Sequence, residues 1–308
     1  MVGQLRAQLE ADDFGLEPTG VAADHAAAGG IERTGPSRAT RRWRAKTSGT
    51  VLVRTVEAEI IPRMFLALRR AKNQEPTAAP TDDQGIGEFA QVVLAGDTSQ
   101  ACAYVEALRG RGQSLEAIYL DLIEPTARHF GRLWNDDACD FVAVTVGILR
   151  LQQVLHEFGL AFRSEVEPHE HGHRALLIPA PGEKDTFGHL MFGTFELALA
   201  AEFLRRDGWD ACVDSSASCS DAIRFVRSEW FDIIELSLSS ENRLDDLTRG
   251  IRSIRKASRN RAIGVIVGGP VFREHPEMVT RVGADAAAAD GRQAALHADN
   301  LIDLLRPR

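Results

Sequence analysis

From Ala175 onward, short unbroken apolar runs alternate with amphipathic stretches. This rhythm predicts strands at 175–179, 210–214, 232–236, 262–267 and 285–288, with helices at 189–206, 219–229, 241–258, 274–282 and 292–305. Leu176-Leu177-Ile178, Ile233-Ile234 and the run from Ile263 to Val267 are almost continuously apolar, as strands buried on both faces must be. Five strand-helix units predict an α/β fold, a parallel five-stranded sheet in the flavodoxin-like, Rossmann-like order 2-1-3-4-5 with helices on both faces. Three loops, Pro181 to Gly188, Ser237-Leu238-Ser239 and Gly268-Gly269, then fall at the carboxyl ends of strands, the side on which open sheets bind ligands.

Between Asp82 and Phe162 the apolar period is helical, with breaks at Gly96-Asp97 and from Arg109 to Gln113. Four helices are expected, roughly 83–95, 98–109, 114–134 and 138–161, with N-caps near Asp97 and Ser114 and a bend at Pro125. Short connections imply antiparallel neighbours, hence a four-helix bundle over 82–162. Upstream, residues 1–48 lack sustained periodicity and end in a basic cluster around Trp43, which predicts a disordered leader. Residues 49–81 hold one helix and a linker; the stripe Leu52, Val56, Ile60, Met64 and Leu68 must pack on the chain's own core or on a partner. Residues 163–174, with His169, His171 and His173, are a polar connector to the α/β domain over 175–308.

Composition narrows the function. A formal net charge of −8 argues against nucleic-acid affinity resting on overall charge, so direct DNA binding is expected to be weak or absent. The four cysteines show neither CxxC nor zinc spacing, and no apolar run is long enough for a membrane span, which together predict a cytoplasmic location. A phospho-acceptor sheet needs an acidic pair after its first strand and an aspartate after its third; Ala180-Pro181 and Ser237 stand there instead. The first loop also lacks GxGxxG and a serine- and threonine-rich flavin loop. No catalytic set is evident, so the chain is expected not to be an enzyme.

A helical bundle carrying Trp134, followed by this sheet, resembles the cobalamin-binding module of methionine synthase and of light-sensing B12 regulators. That family has DxHxxG in its first loop, SxL after the third strand and GG after the fourth. The corresponding positions here are Glu183, Asp185 and Gly188, then Ser237 and Ser239, then Gly268 and Gly269. Glu59-Ile60-Ile61-Pro62-Arg63, Leu133-Trp134, Cys139-Asp140-Phe141-Val142, Pro181-Gly182-Glu183 and Thr186-Phe187-Gly188 narrow the resemblance to the AerR/PpaA antirepressors of photosynthesis genes and the related sensing domain of AppA-type regulators. The resemblance spans roughly residues 50 to 305.

It implies cobalamin as cofactor, with heme as the alternative, and a role as a transcriptional antirepressor that contacts a DNA-bound repressor protein. A corrinoid carrier of a methyltransferase system and a ligand-free interaction module are the other readings. Cobalamin's nucleotide tail has to be buried between strands and helices, so Gly188, Gly268 and Gly269 suit close backbone approach, and Ser237 or Ser239 can hydrogen-bond the tail. Trp134 is the expected cap over the corrin ring. The departure lies in the first loop, where Asp185 replaces the family's cobalt-binding histidine and cannot reproduce an imidazole donor. His189 lies four residues on, and His156 on the bundle is the candidate upper metal ligand.

Overall fold

Alternate side chains of the central strands feed two separate apolar cores. The structure, a computed structural model, describes residues 83–167, 172–186, 188 and 192–305. The leader expected over 1–48 and the helix and linker over 49–81 lie outside the described residues, as do His169, His171 and His189.

The helical layer contains α1 (Asp83–Ala95), α2 (Thr98–Gly110), α3 (Leu115–Ile118), α4 (Glu124–Asn135) and α5 (Phe141–Ser164). Asp97 caps α2 by accepting from the Gln100 amide, Ser114 caps α3 through the Ala117 amide, and Asp140 caps α5 through that of Ala143. The bend expected at Pro125 takes the form of a π-helical turn, Tyr119–Ile123, which joins α3 to α4. Proline has no amide to offer the preceding turn, and the wider turn, closed by the Glu124 amide on the Tyr119 carbonyl, accommodates that loss.

The sheet contains β1 (Arg174–Pro179), β2 (Asp210–Val213), β3 (Ile233–Ser237), β4 (Gly264–Gly268) and β5 (Ala286–Ala287). All pairings are parallel and the order is β2-β1-β3-β4-β5, as the alternation predicted. The connecting helices are α6 (Thr194–Arg206), α7 (Cys219–Ser228), α8 (Leu244–Ala257), the short α9 (Pro270–Glu274) and α10 (Met278–Val282), and the final α11 (Gly291–Leu305). The residue before α6, Gly193, already has helical backbone angles.

Ala175, Leu177, Ile233 and Ile266 point to one face, where they join Leu199 and Phe203 of α6, Ala294 and Ala298 of α11 and the interior of the bundle in one continuous core. Leu176, Ile178, Ile234, Leu236, Val265 and Val267 point to the other face and pack on Ala222 and Val226 of α7 and Leu247 and Ile251 of α8. Each fully buried valine, leucine, isoleucine or phenylalanine contributes about 1.5–3 kcal/mol. At the carboxyl end of β4 the chain turns sharply at Gly269, whose φ is +99°. A methyl group there would lie 2.2 Å from the carbonyl oxygen of Leu238, so only glycine fits.

Replacing Gly269 with alanine combines an unfavourable backbone conformation with a backbone clash. It is expected to cost about 2 kcal/mol or more, read as a lowered urea midpoint with an unchanged slope.

Candidate functional site

The loop after β1 folds back on itself through hydrogen bonds from the Glu183 amide to the Ala180 carbonyl, 2.9 Å, and from the Thr186 amide to the Glu183 carbonyl, 2.8 Å. Gly182, with φ of +85°, makes the turn possible. The fold-back carries the Glu183 side chain fully into the interior. There one carboxylate oxygen accepts from the hydroxyls of Thr186, at 3.0 Å, and of Ser239. The other oxygen is buried with no hydrogen-bond partner. Gly188 closes the cluster, since a methyl group on it would meet the Ser239 hydroxyl at 2.7 Å. Glu183, Gly188 and Ser239, picked from two separate loops of the sequence, are thus brought into one contact. Asp185 points away: its side chain is 86% exposed and lies 3.9 Å from the Lys184 ammonium.

A second group assembles around a small cavity on the bundle-facing side of the sheet. Ser237, Gly268 and Gly269 line it, together with Glu124 of α4, Glu196 of α6, Glu235 of β3, Arg273 of α9 and Asp290 before α11. Its volume is about 20 Å³, room for one water molecule. An aromatic ring needs far more, since benzene occupies an engineered cavity of about 150 Å³. Glu235 fills the space. It sits on the central strand opposite Leu177 and Ile266, and the position of a methyl group on Gly268 would be 3.3 Å from its carboxylate.

The electrostatics of this cavity are dominated by burial. Glu235 and Glu196 each have one buried oxygen without a partner, and the Arg273 guanidinium spends its charge on the other oxygen of Glu196, at 2.7 Å. Burial first, and then the neighbouring Glu196, push the Glu235 carboxyl up to about 8. Glu124 is pushed up to about 7 by burial, against the opposing pull of the Arg128 guanidinium at 2.5 Å; Asp290 and Glu196 add to the rise. Near neutral pH Glu235 is therefore largely protonated, the tolerable state for a carboxyl in a dry interior, while Glu124 divides between its neutral form and the ion pair with Arg128.

Trp134 is half-buried in the last turn of α4, edge-on to Phe141 with ring centroids 6.3 Å apart. A methyl group on Gly131, one helical turn earlier, would touch the Phe192 ring just before α6, so this end of α4 lies over the carboxyl side of the sheet. His156 is elsewhere. It is exposed on α5 and borders an open depression of about 460 Å³ with Thr98, Leu149, Gln152, Gln153 and Glu157. Among the described residues no group of three or more His, Cys, Asp or Glu side chains is arranged to hold a metal ion. No helix among them is long and apolar enough to cross a membrane.

Glu235, Glu196, Glu124, Arg273 and Asp290 belong to none of the strand-end motifs. The available signal was Glu235 itself, a lone carboxylate inside Ile233-Ile234-Glu235-Leu236, where burial on both faces leaves no water for a charge.

Comparison with known proteins bears on this end of the sheet. Residues 192–298 match the B12 binding domain family. The matched span contains β2 to β5 and includes Ser237, Ser239, Gly268 and Gly269; β1 and the loop with Glu183, Asp185 and Gly188 precede it. The chain is also 27% identical over 176 residues to an uncharacterized 20.5 kDa protein in the bchF-crtJ intergenic region of Rhodobacter capsulatus, covering 57% of this chain and 87% of that one. Among solved structures, the monomethylamine corrinoid protein of Methanosarcina barkeri superposes with a TM-score of 0.57 at 11% identity, covering 71% of this chain and all of the other. At that identity the likeness is one of fold: helices ahead of a five-stranded parallel sheet.

Raised carboxyl values carry a stability consequence. Native Glu235 and Glu124 hold protons that the unfolded chain releases near 4.5, so between that pH and about 8 the native state binds more protons and stability falls as pH rises. Glu235→Gln removes one such group. Its melting temperature is expected to decline less between pH 5 and pH 8 than that of the wild type, and to exceed it at pH 8 by about 2 °C or more.

Proposed function

We propose that this chain is a corrinoid-binding regulator that acts by contacting another protein and is not an enzyme. The observation that carries the reading is the B12 binding domain match from α6 into α11, laid on a sheet whose carboxyl ends present Ser237, Ser239, Gly268 and Gly269 beneath the end of α4 that bears Trp134. The relative encoded between bchF and crtJ supports the narrower likeness to AerR/PpaA-type antirepressors, whose output is relief of repression through a DNA-bound repressor. The heme alternative has no support among the comparisons.

The residues fit a corrinoid in part. The surface between Trp134 and the strand ends is the place for the ring, and the Glu183-Ser239 contact gives the first loop a fixed base. The cavity beside Gly268 does not fit a nucleotide base, because Glu235 fills it. A methyl-carrying corrinoid protein needs a lower imidazole, and an exposed aspartate paired with Lys184 stands at that position of the first loop. This favours the regulator over the carrier.

Equilibrium dialysis of the full chain against micromolar hydroxocobalamin is expected to retain about one corrinoid per chain, and no retention would leave a ligand-free interaction module. The isolated protein is expected to show no sequence-specific DNA binding that survives physiological salt, since a formal net charge of −8 works against phosphate contacts. Asp185→His is expected to shift the visible absorption bands of bound hydroxocobalamin, because an imidazole at this position would compete with the ligand's own base for the lower face of cobalt. An unchanged spectrum and affinity would mean that the first loop does not face the ligand.

A further inference from the structure

At the cavity lined by Ser237, Gly268 and Gly269, small residues at strand ends meet a void between sheet and helices. It is also closed from within. Glu235 reaches it from the middle of the central strand, with Leu177 and Ile266 on either side, and its carboxylate lies against Gly268. The remaining volume of about 20 Å³ is several times too small for even a single aromatic ring.

What is left of the lining is unsuited to a base on chemical grounds as well. One oxygen of Glu235 and one of Glu196 are buried without partners, Glu124 and Asp290 flank them, and Arg273 is already engaged by Glu196. Polar groups of this kind, one of them a protonated carboxyl, ask for a small partner that both donates and accepts, such as water. The apolar face of a ring pushed against them would leave them unsatisfied, at a cost of about 1–3 kcal/mol for each group. Both volume and polarity point the same way.

We infer that Glu235 is a specificity-determining residue that closes the sheet against the nucleotide base, so that the chain holds a corrinoid by its ring with the base outside. The inference rests on the corrinoid reading above and adds which part of the ligand is recognised. Its consequence is tolerance: corrinoids that lack the base altogether bind as well as complete ones. Glu235 acts by occupying volume, so an uncharged side chain of the same size preserves the effect and a small one abolishes it.

The experiment measures dissociation constants of the full chain for hydroxocobalamin and for diaquocobinamide, which lacks the nucleotide tail, in the wild type and in Glu235→Gln, Glu235→Ala and Glu235→Gly. Wild type and Glu235→Gln are expected to bind the two ligands within about threefold of each other, and Glu235→Gly to favour hydroxocobalamin by about tenfold or more. Bound hydroxocobalamin is expected to keep the spectrum of its base-coordinated form in the wild type and to lose it in Glu235→Gly. Glu235→Ala serves if the glycine variant does not fold, with circular dichroism melts as the control. A wild type that prefers hydroxocobalamin by about tenfold, or small variants that gain nothing for it, would overturn the assignment to Glu235. Failure of the wild type to bind either ligand would instead overturn the corrinoid reading on which it rests.

Discussion

Three aromatic rings hold the bundle on the sheet. Tyr119 of the π turn, Phe162 of α5 and Phe203 of α6 meet with centroid separations of 4.6 Å between the first two, 5.0 Å between the last two and 6.4 Å across. Such pairs add about 0.5–1.5 kcal/mol each beyond the area they bury. The Tyr119 hydroxyl is buried and donates to the Leu155 carbonyl at 3.4 Å, and burial raises the phenol well above its usual range, so it stays a donor at any physiological pH. Arg206 stacks over the Phe162 ring at 4.6 Å and pairs with Glu116 at 2.8 Å, which ties α3 to α6 as well. Because Phe203 lies near the end of α6 that leads into β2, this lock sits toward the amino ends of the strands.

Other contacts join bundle and sheet at the opposite end, where the strands finish. Gln152 of α5 donates to the Thr194 hydroxyl at 3.0 Å, and Gly131 rests near the Phe192 ring. The aromatic junction below them cannot part without exposing three large rings. The fold gathers the loops after β1, β3 and β4 on the side away from that junction. It also places the carboxyls of Glu124, Glu196 and Glu235 under those loops, and stability is given up there by one unpartnered oxygen each of Glu196 and Glu235.

The architecture was legible because two periodicities are strong in this chain. Continuous apolar runs such as Ile263 to Val267 fit only strands covered on both faces, and the capping residues Asp97 and Ser114 stand where the helices do begin. Part of the site was legible too: Glu183, Ser239 and Gly188 come together, and Ser237, Gly268 and Gly269 share a cavity. Two features were not. The exposure of Asp185 depends on which way the loop after β1 folds, and that is decided by the burial of Glu183 two residues away. The exposure of His156 depends on the rotation of α5 about its axis, which turns Leu151, Val154, Leu155 and Phe158 inward.

Glycines are the most instructive case, because a glycine records only that a side chain is excluded and not what excludes it. Read from sequence, Gly188, Gly268 and Gly269 at strand ends suggest backbone kept clear for a ligand. In the folded chain each space is already claimed: Ser239 lies against Gly188, the Glu235 carboxylate against Gly268 and the Leu238 backbone against Gly269. Two of these occupants are fixed by backbone position or by a hydrogen bond, since Leu238 is main chain and Ser239 donates to Glu183. Glu235 alone is a long side chain with an unpartnered oxygen, held in place by packing rather than by bonds. It follows that the volume open to a ligand at this sheet edge is set less by the glycines than by one carboxylate two residues before the strand ends.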